Sequence, residues 1–321
     1  MTFDVTDRFR LKLGARQSWE ERAIVVSTRL PGPGITLGPG EDSRSYSDFS
    51  PEAGFEFDWS NSLVYFTYSQ GFKSGAASLV DGSPFLIDEE EIDNFEFGIK
   101  GSYLQGRLNL AVAGFFYDIQ NAQFDRTRLI SGGPRFTTSV ENAASQDGKG
   151  IEVEGSWLPF NNLQVDFNGT WYDIEFEEFI TTNPIDPLGA LEGLAGLDVR
   201  EVNLAGNTPR NTPEFSFGIR GTYSQGFANG SIADLSLGYA YKGQQFFTEF
   251  NDERLSADAY GILDANLKYT FPSESLFVNI WGRNLTDAFV ASGAFPVSTS
   301  RTIGGTFLPP RQYGVTVGYS F

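Results

Sequence analysis

The chain has 321 residues, with 41 acidic and 23 basic side chains and a formal net charge of −18, a balance that excludes nucleic acid as a partner because phosphate backbones require cationic surface. Histidine and cysteine are both absent, which removes imidazole metal sites, Ser-His-Asp triads and disulfide frameworks together. No apolar run approaches the roughly 20 residues of a membrane-spanning helix, so the chain is either soluble or a membrane barrel whose strands hide their hydrophobicity in alternation.

Period-two patterning predicts strands along the whole length. The first covers 8–22, with Phe9, Leu11, Leu13 and Ala15 on one face. A Gly- and Pro-rich loop follows, then strands at 45–57 and 62–73 around a tight turn at Asp58 to Asn61. The fourth sets Phe95, Phe97, Ile99, Gly101 and Tyr103 against Glu96, Gly98, Lys100 and Ser102. Strands at 107–125 and 143–158 come next, and a seventh alternates Leu163, Val165, Phe167, Gly169 and Trp171 with Gln164, Asp166, Asn168 and Thr170. The longest loop, 181–212, precedes an eighth strand, Phe215 to Tyr223, that echoes Phe95 to Tyr103 almost residue for residue. Further strands are expected at 231–250, 259–271 and 275–290.

The twelfth runs from Gln312 to Phe321. Tyr313, Val315, Val317, Tyr319 and Phe321 fall on one face; Gln312, Gly314, Thr316, Gly318 and Ser320 fall on the other. Soluble chains seldom end on so apolar a strand. A membrane barrel does, because its last strand must pair and leave no edge.

The connections alternate short and long, as in outer-membrane barrels with tight periplasmic turns and long outer loops. Short ones fall near 58–61, 104–107, 159–162, 224–230 and 272–274; long ones near 23–44, 74–90, 126–142, 181–212, 251–258 and 291–307. Strands reaching a short turn finish on aromatics: Phe57 or Trp59, Tyr103, Trp157, Tyr223, and Tyr269 with Phe271. Repeated at one level, these rings predict a girdle at the membrane–water boundary.

Five segments carry a family resemblance. Gln312, Gly314, Val317 and Tyr319 resemble the outer-membrane assembly signal, with Ser320 and the terminal Phe321 beyond it. Tyr65-Phe66-Thr67-Tyr68-Ser69-Gln70-Gly71-Phe72-Lys73-Ser74-Gly75, Gly206-Asn207-Thr208-Pro209-Arg210-Asn211-Thr212-Pro213, Gly282-Arg283-Asn284-Leu285-Thr286-Asp287 and Pro309-Pro310-Arg311-Gln312-Tyr313 are similar to segments of TonB-dependent outer-membrane receptors. The resemblance implies an all-β, transmembrane antiparallel up-and-down barrel of about twelve strands here, belonging to a 22-strand barrel. It also implies uptake of a scarce nutrient, with a ferric siderophore as the default ligand. The implied partners are outer-membrane lipid, the barrel-assembly machinery and TonB, the last acting through an N-terminal plug region.

No signal peptide opens the chain at Met1-Thr2-Phe3-Asp4. Residues 1–321 therefore read as one barrel domain, the C-terminal part of a longer protein, inactive alone. A self-sufficient twelve-strand barrel, a passive pore and a soluble β-rich binding protein stand as alternatives. No catalytic constellation, cofactor or resident metal is expected. Asp88-Glu89-Glu90-Glu91 with Asp93 is the densest acidic cluster, and it lacks a calcium-loop pattern. For ligand contact, Arg126, Arg128, Arg135 and Phe136 form a basic, aromatic loop in an acidic protein, and arginine suits an anionic ferric complex.

Overall fold

A computed structural model describes residues 1–26, 40–80, 83–129, 136–182, 201–273, 275–297 and 302–319. The strands, in chain order, are β1 Thr2–Asp4, β2 Phe9–Val26, β3 Gly40–Trp59, β4 Ser62–Lys73, β5 Ala77–Val80, β6 Ser83–Leu86, β7 Glu90–Tyr103, β8 Leu108–Leu129, β9 Phe136–Phe160 and β10 Leu163–Thr182. They continue as β11 Glu201–Asn203, β12 Phe215–Gly226, β13 Ile232–Lys242, β14 Gln245–Phe246, β15 Ser256–Ala257, β16 Tyr260–Thr270, β17 Leu276–Arg283, β18 Ala291–Val297, β19 Thr302–Phe307 and β20 Gln312–Tyr319.

One antiparallel sheet takes 14 of these, in the order β1-β2-β3-β4-β7-β8-β9-β10-β12-β13-β16-β17-β20, with β11 attached to β10. Setting aside the short β1 and β11 leaves the twelve expected strands, each hydrogen-bonded to its neighbour in sequence. Such nearest-neighbour pairing satisfies backbone polar groups between adjacent strands, which hydrocarbon requires. The short connections are where the sequence puts them, and left-handed residues tighten two: Ser60 at φ 57°, and Leu104 and Gln105 at 52° and 59°. The long connections hold small hairpins that the sequence reading leaves as loop: β5–β6, β14–β15 and β18–β19.

Two expected strands overrun. The strand predicted over 231–250 ends at Lys242, and that over 275–290 ends at Arg283. In both, apolar residues continue past the strand because they build a dry core in the outer loops. Phe247, Ala257 and Val290 are buried together there, packed by Tyr260, Ala291 and Leu308.

Register shows how two faces arise. Leu11, Phe55, Phe66, Phe97, Gly114, Ile151, Trp171 and Phe215 stand directly opposite one another across eight strands. One residue along, the same strands present Arg10, Glu56, Tyr65, Gly98, Ala113, Glu152, Thr170 and Ser216. Directly opposed residues share a face, so an apolar row and a polar row alternate up the sheet. On the apolar side Val315 and Val317 are 66% and 65% exposed, an arrangement that suits lipid rather than water. Phe57, Tyr103, Trp157, Tyr223, Tyr269 and Tyr319 belong to that face near the short turns, as the expected girdle requires.

Glycine and aromatic abundance prove to be one feature. Tyr65 lies opposite Gly98, Phe97 opposite Gly114, Tyr117 opposite Gly148, Phe167 opposite Gly155 and Trp281 opposite Gly314. Each ring lies over its glycine: a Cβ on Gly98 would come within 2.6 Å of the Tyr65 ring. The ring covers backbone that glycine leaves bare, and glycine gives the ring its place.

The outer rim is fixed by asparagine amides. Asn142 donates to the carbonyls of Asp88 (2.9 Å) and Asn121 (2.8 Å) and accepts from the Asp88 N–H (2.8 Å). Asn251 and Thr208 exchange two 2.8 Å bonds, while Asn207 donates to the Glu249 carbonyl at 2.9 Å. Asn284, 5% exposed, donates to the carbonyls of Ala288 (3.0 Å) and Pro309 (3.1 Å) and accepts from the Ala288 N–H (2.9 Å). Asn121, Asn251 and Asn284 all have positive φ, which asparagine tolerates better than most residues. Segments 206–213, 282–287 and 309–313, singled out by resemblance, are thus loop staples.

Two outcomes follow. Val317→Arg puts a charge on the lipid face at a cost of roughly 2–4 kcal/mol near the midplane; heat-modifiable electrophoretic mobility should show far less folded protein than for Thr316→Arg, and equal yields would contradict the facing. Asn284→Ala removes four side-chain bonds, with Ala288 (two), Pro309 and Thr286, of about 1 kcal/mol each and places alanine at φ 49°. Asn284→Gly relieves only the backbone cost. Both variants should speed protease cleavage between residues 286 and 311, alanine more than glycine.

Candidate functional site

The polar face is the concave one, because a broad hollow of the sheet opens there. It is a trough of about 860 Å³ whose polar lining includes Lys100, Asn109, Glu154, Asp166, Arg220 and Asp264. It is deep because Ala111, Gly218, Gly238 and Ala240 stand where longer side chains would fill it.

Charge on this face divides by position. On β2 and β3, Arg10 spans Glu56 (3.0 Å) and Asp58 (2.5 Å), and Lys12 also pairs with Glu56. Glu96 accepts from the Tyr65 hydroxyl at 2.7 Å and Glu152 from the Tyr172 hydroxyl at 2.6 Å. Toward β20 cations meet rings: Lys268 lies 4.8 Å over Phe277 and Arg283 lies 5.2 Å over Trp281. On β7 a cation meets a ring as well, Lys100 lying 5.5 Å over Tyr65. Sequence alternation puts these residues on a polar face, but nothing in the sequence shows which cations keep a carboxylate partner.

The rim carries the residues expected to touch ligand. Arg126 lies near the outer end of β8, opposite Ser139, with its Nη1 3.7 Å from Glu141. Arg128 stands opposite Thr137, and Phe136 opposite Leu129. The hairpin thus brings Arg126, Arg128 and Phe136 to one end of the fold, while Arg135 lies outside the described residues. The acidic cluster is spread among separate partners. Asp88 pairs with Arg44, Glu90 accepts from the Gln123 N–H (2.7 Å) and lies 3.4 Å from Lys73, and Asp93 accepts from the Tyr68 hydroxyl (2.7 Å). Among the described residues no three carboxylates converge as metal ligands. In the loop between β14 and β15, the Arg254 guanidinium holds the Asp252 carboxyl below its ordinary range.

Of the residues that resemble an assembly signal, Gln312, Gly314, Val317 and Tyr319 lie on β20 opposite Arg283, Trp281, Val278 and Leu276. Phe321 lies outside the described residues.

Comparison with known proteins gives a consistent answer. Residues 1–285 match the family described as TonB dependent receptor-like, beta-barrel. The ferripyoverdine receptor of Pseudomonas aeruginosa is 35% identical over 169 residues, 51% of this chain and 19% of that protein. The pesticin receptor of Yersinia pestis is 28% identical over 182 residues, 55% of this chain and 25% of that protein. Among solved structures, the ferric yersiniabactin uptake receptor FyuA from Yersinia pestis superposes with a TM-score of 0.77 at 18% identity, over 100% of this chain and 44% of that one. The ferripyoverdine receptor of Pseudomonas aeruginosa bound to ferripyoverdine gives 0.62 at 18% identity, over 100% and 37%. The matched region is thus about a fifth to a quarter of these two relatives' length. With an apolar outward face, a polar inward face and a family match over most of its length, the chain belongs to the β-barrel family of TonB-dependent receptors, proteins of the bacterial outer membrane.

Proposed function

We propose that this chain is barrel wall of a receptor that takes up a ferric siderophore across the outer membrane, energised by TonB. The observation that carries the reading is the pair of matches above, to receptors named for ferripyoverdine and for ferric yersiniabactin. A sheet apolar outside and polar inside, with outer loops held by Asn142, Asn251 and Asn284, supplies a rigid mouth over an aqueous lumen. Arg126, Arg128, Arg135 and Phe136 contact the ligand at that mouth in this reading. Guanidinium groups pair with oxyanions of the ferric complex, and the ring packs on its organic part. TonB acts through a plug region outside this chain. The barrel-assembly machinery reads Gln312, Gly314, Val317, Tyr319 and Phe321, and lipid meets the apolar face.

The test expresses the complete gene product in a receptor-deletion strain and follows radioactive iron from ferripyoverdine and from ferric yersiniabactin. Uptake that disappears without TonB is the expected result, with Arg128→Gln weakening surface binding while leaving the amount of folded receptor unchanged. Iron or small-solute entry that is indifferent to TonB would contradict the reading and favour a passive pore.

A further inference from the structure

Between the trough and the mouth, Tyr65, Phe115, Tyr117 and Tyr172 gather on the polar face. Register sets Glu96, Phe115, Gly150 and Tyr172 side by side from β7 to β10, and Tyr65, Gly98, Ala113 and Glu152 in the next row from β4 to β9. Glycine lets these rings lie down and meet. A Cβ on Gly150 would lie 2.7 Å from both the Phe115 and the Tyr172 rings, whose centroids are 5.8 Å apart at an angle of 57°. Tyr117 runs nearly parallel to Phe115, 6.1 Å away, and lies over Gly148. Tyr65 lies over Gly98 and so leans toward Ala113 from the other side. The result is an aromatic corner above β8 and β9, open to the lumen.

Two carboxylates border the rings. Glu96 accepts from the Tyr65 hydroxyl at 2.7 Å and Glu152 from the Tyr172 hydroxyl at 2.6 Å, each through Oε1. Glu152 also acts electrostatically on the Tyr65 hydroxyl, so the two pairs belong to one patch. Among the described residues, Oε2 of each carboxylate has no hydrogen-bond partner and neither group joins an ion pair. The adjoining row brings one cation and a further carboxylate, Lys100 and Glu154, with Ala111 between them. Lys100 makes no ion pair among the described residues; its ammonium lies over the Tyr65 ring at 5.5 Å. The next cations in the two aromatic rows, Lys12 and Lys242, are each three strands away, about 14 Å by strand spacing, and Lys12 is paired with Glu56. Glu96, Glu152 and Glu154 against Lys100 alone leave the patch negative, and Lys100 already shows a ring of this patch holding an ammonium.

We infer that Tyr65, Phe115, Tyr117 and Tyr172, with Glu96 and Glu152, form a subsite on the lumen wall for an organic cation, an alkylammonium or guanidinium arm of the solute. Ring faces attract such a group through their quadrupole, and the open carboxylate oxygens accept its N–H bonds. The subsite rests on a solute entering this lumen, as proposed above, and adds that the solute carries a positive arm.

Ala113 lies on the floor of the corner, between Gly98 and Glu152 in register, so Ala113→Cys places a thiol there. In outer-membrane vesicles carrying the full-length protein, with the parent protein as blank, its modification is timed with two methanethiosulfonates of similar size. One is a cationic trimethylammonium and the other an anionic sulfonate, and each rate is divided by that with free thiol. The cationic reagent should be favoured roughly tenfold or more, as where a charged cleft focuses field. Glu96→Gln/Glu152→Gln keeps an acceptor for each tyrosine hydroxyl and should lower that preference roughly tenfold. Tetramethylammonium chloride should protect the thiol better than sodium chloride of equal ionic strength. Phe115→Leu/Tyr172→Leu should lose that extra protection while keeping the charge preference, because the carboxylates remain. A thiol from Asn266→Cys, on a distant part of the wall, should react alike in every variant and so reports that each is folded. Equal normalised rates, a preference that survives the glutamine pair, or tetramethylammonium no better than sodium would overturn the subsite. These rates need neither uptake nor TonB, so failure of the uptake test and failure of the subsite are separate results.

Discussion

Hydrocarbon cannot hydrogen-bond to a peptide group, and that constraint orders this structure. Each strand of the main sheet pairs with its sequence neighbour, so the register is continuous from β2 to β20. Continuous register then forces the side chains into rows, because directly opposed residues share a face. A single slip by one residue would carry an entire apolar row into the lumen and a charged row into lipid. The glycine–aromatic pairs sit on both faces of this lattice. Tyr65 over Gly98 occupies the polar side, with its hydroxyl bonded to Glu96, while Phe97 over Gly114 occupies the apolar side.

Because the lattice is regular, departures from it carry the specific chemistry. Asn121 turns left-handed where β8 shifts register against β9, and Asn142 holds the bulge by bonding the Asn121 carbonyl. Asn284 ends β17 and ties two later segments to it. On the inner face, Gly238 makes room for Arg220 to lie across its strand. Neutral amides hold the outer loops together with ion pairs such as Arg44–Asp88, Arg210–Glu249 and Arg311–Asp287.

Most of the sheet was legible because strand alternation and turn chemistry are local signals. Ser62–Lys73 and Leu163–Thr182 follow directly from alternating residues bounded by turns. The overruns beyond Lys242 and Arg283 have a common cause. Phe246, Phe247, Phe250, Leu285, Phe289 and Val290 continue the apolar content, but part of it buries a core above the sheet instead of facing lipid. Periodicity records that a residue avoids water, not which apolar surroundings it finds. The β5–β6 and β18–β19 hairpins were missed because they are short and rich in Gly, Ser and Pro. For the site, the basic character of Arg126 and Arg128 was visible, but the Glu141 partner of Arg126 was not.

One face of each long strand meets lipid and the other meets water. Spin labels placed singly at each position of Leu163 to Trp171, in protein folded in outer-membrane lipid, test it most directly. Collision with oxygen should peak at 163, 165, 167, 169 and 171, and collision with a water-soluble nickel chelate at the four positions between. A profile with no period of two, or with the two phases exchanged, would contradict the account.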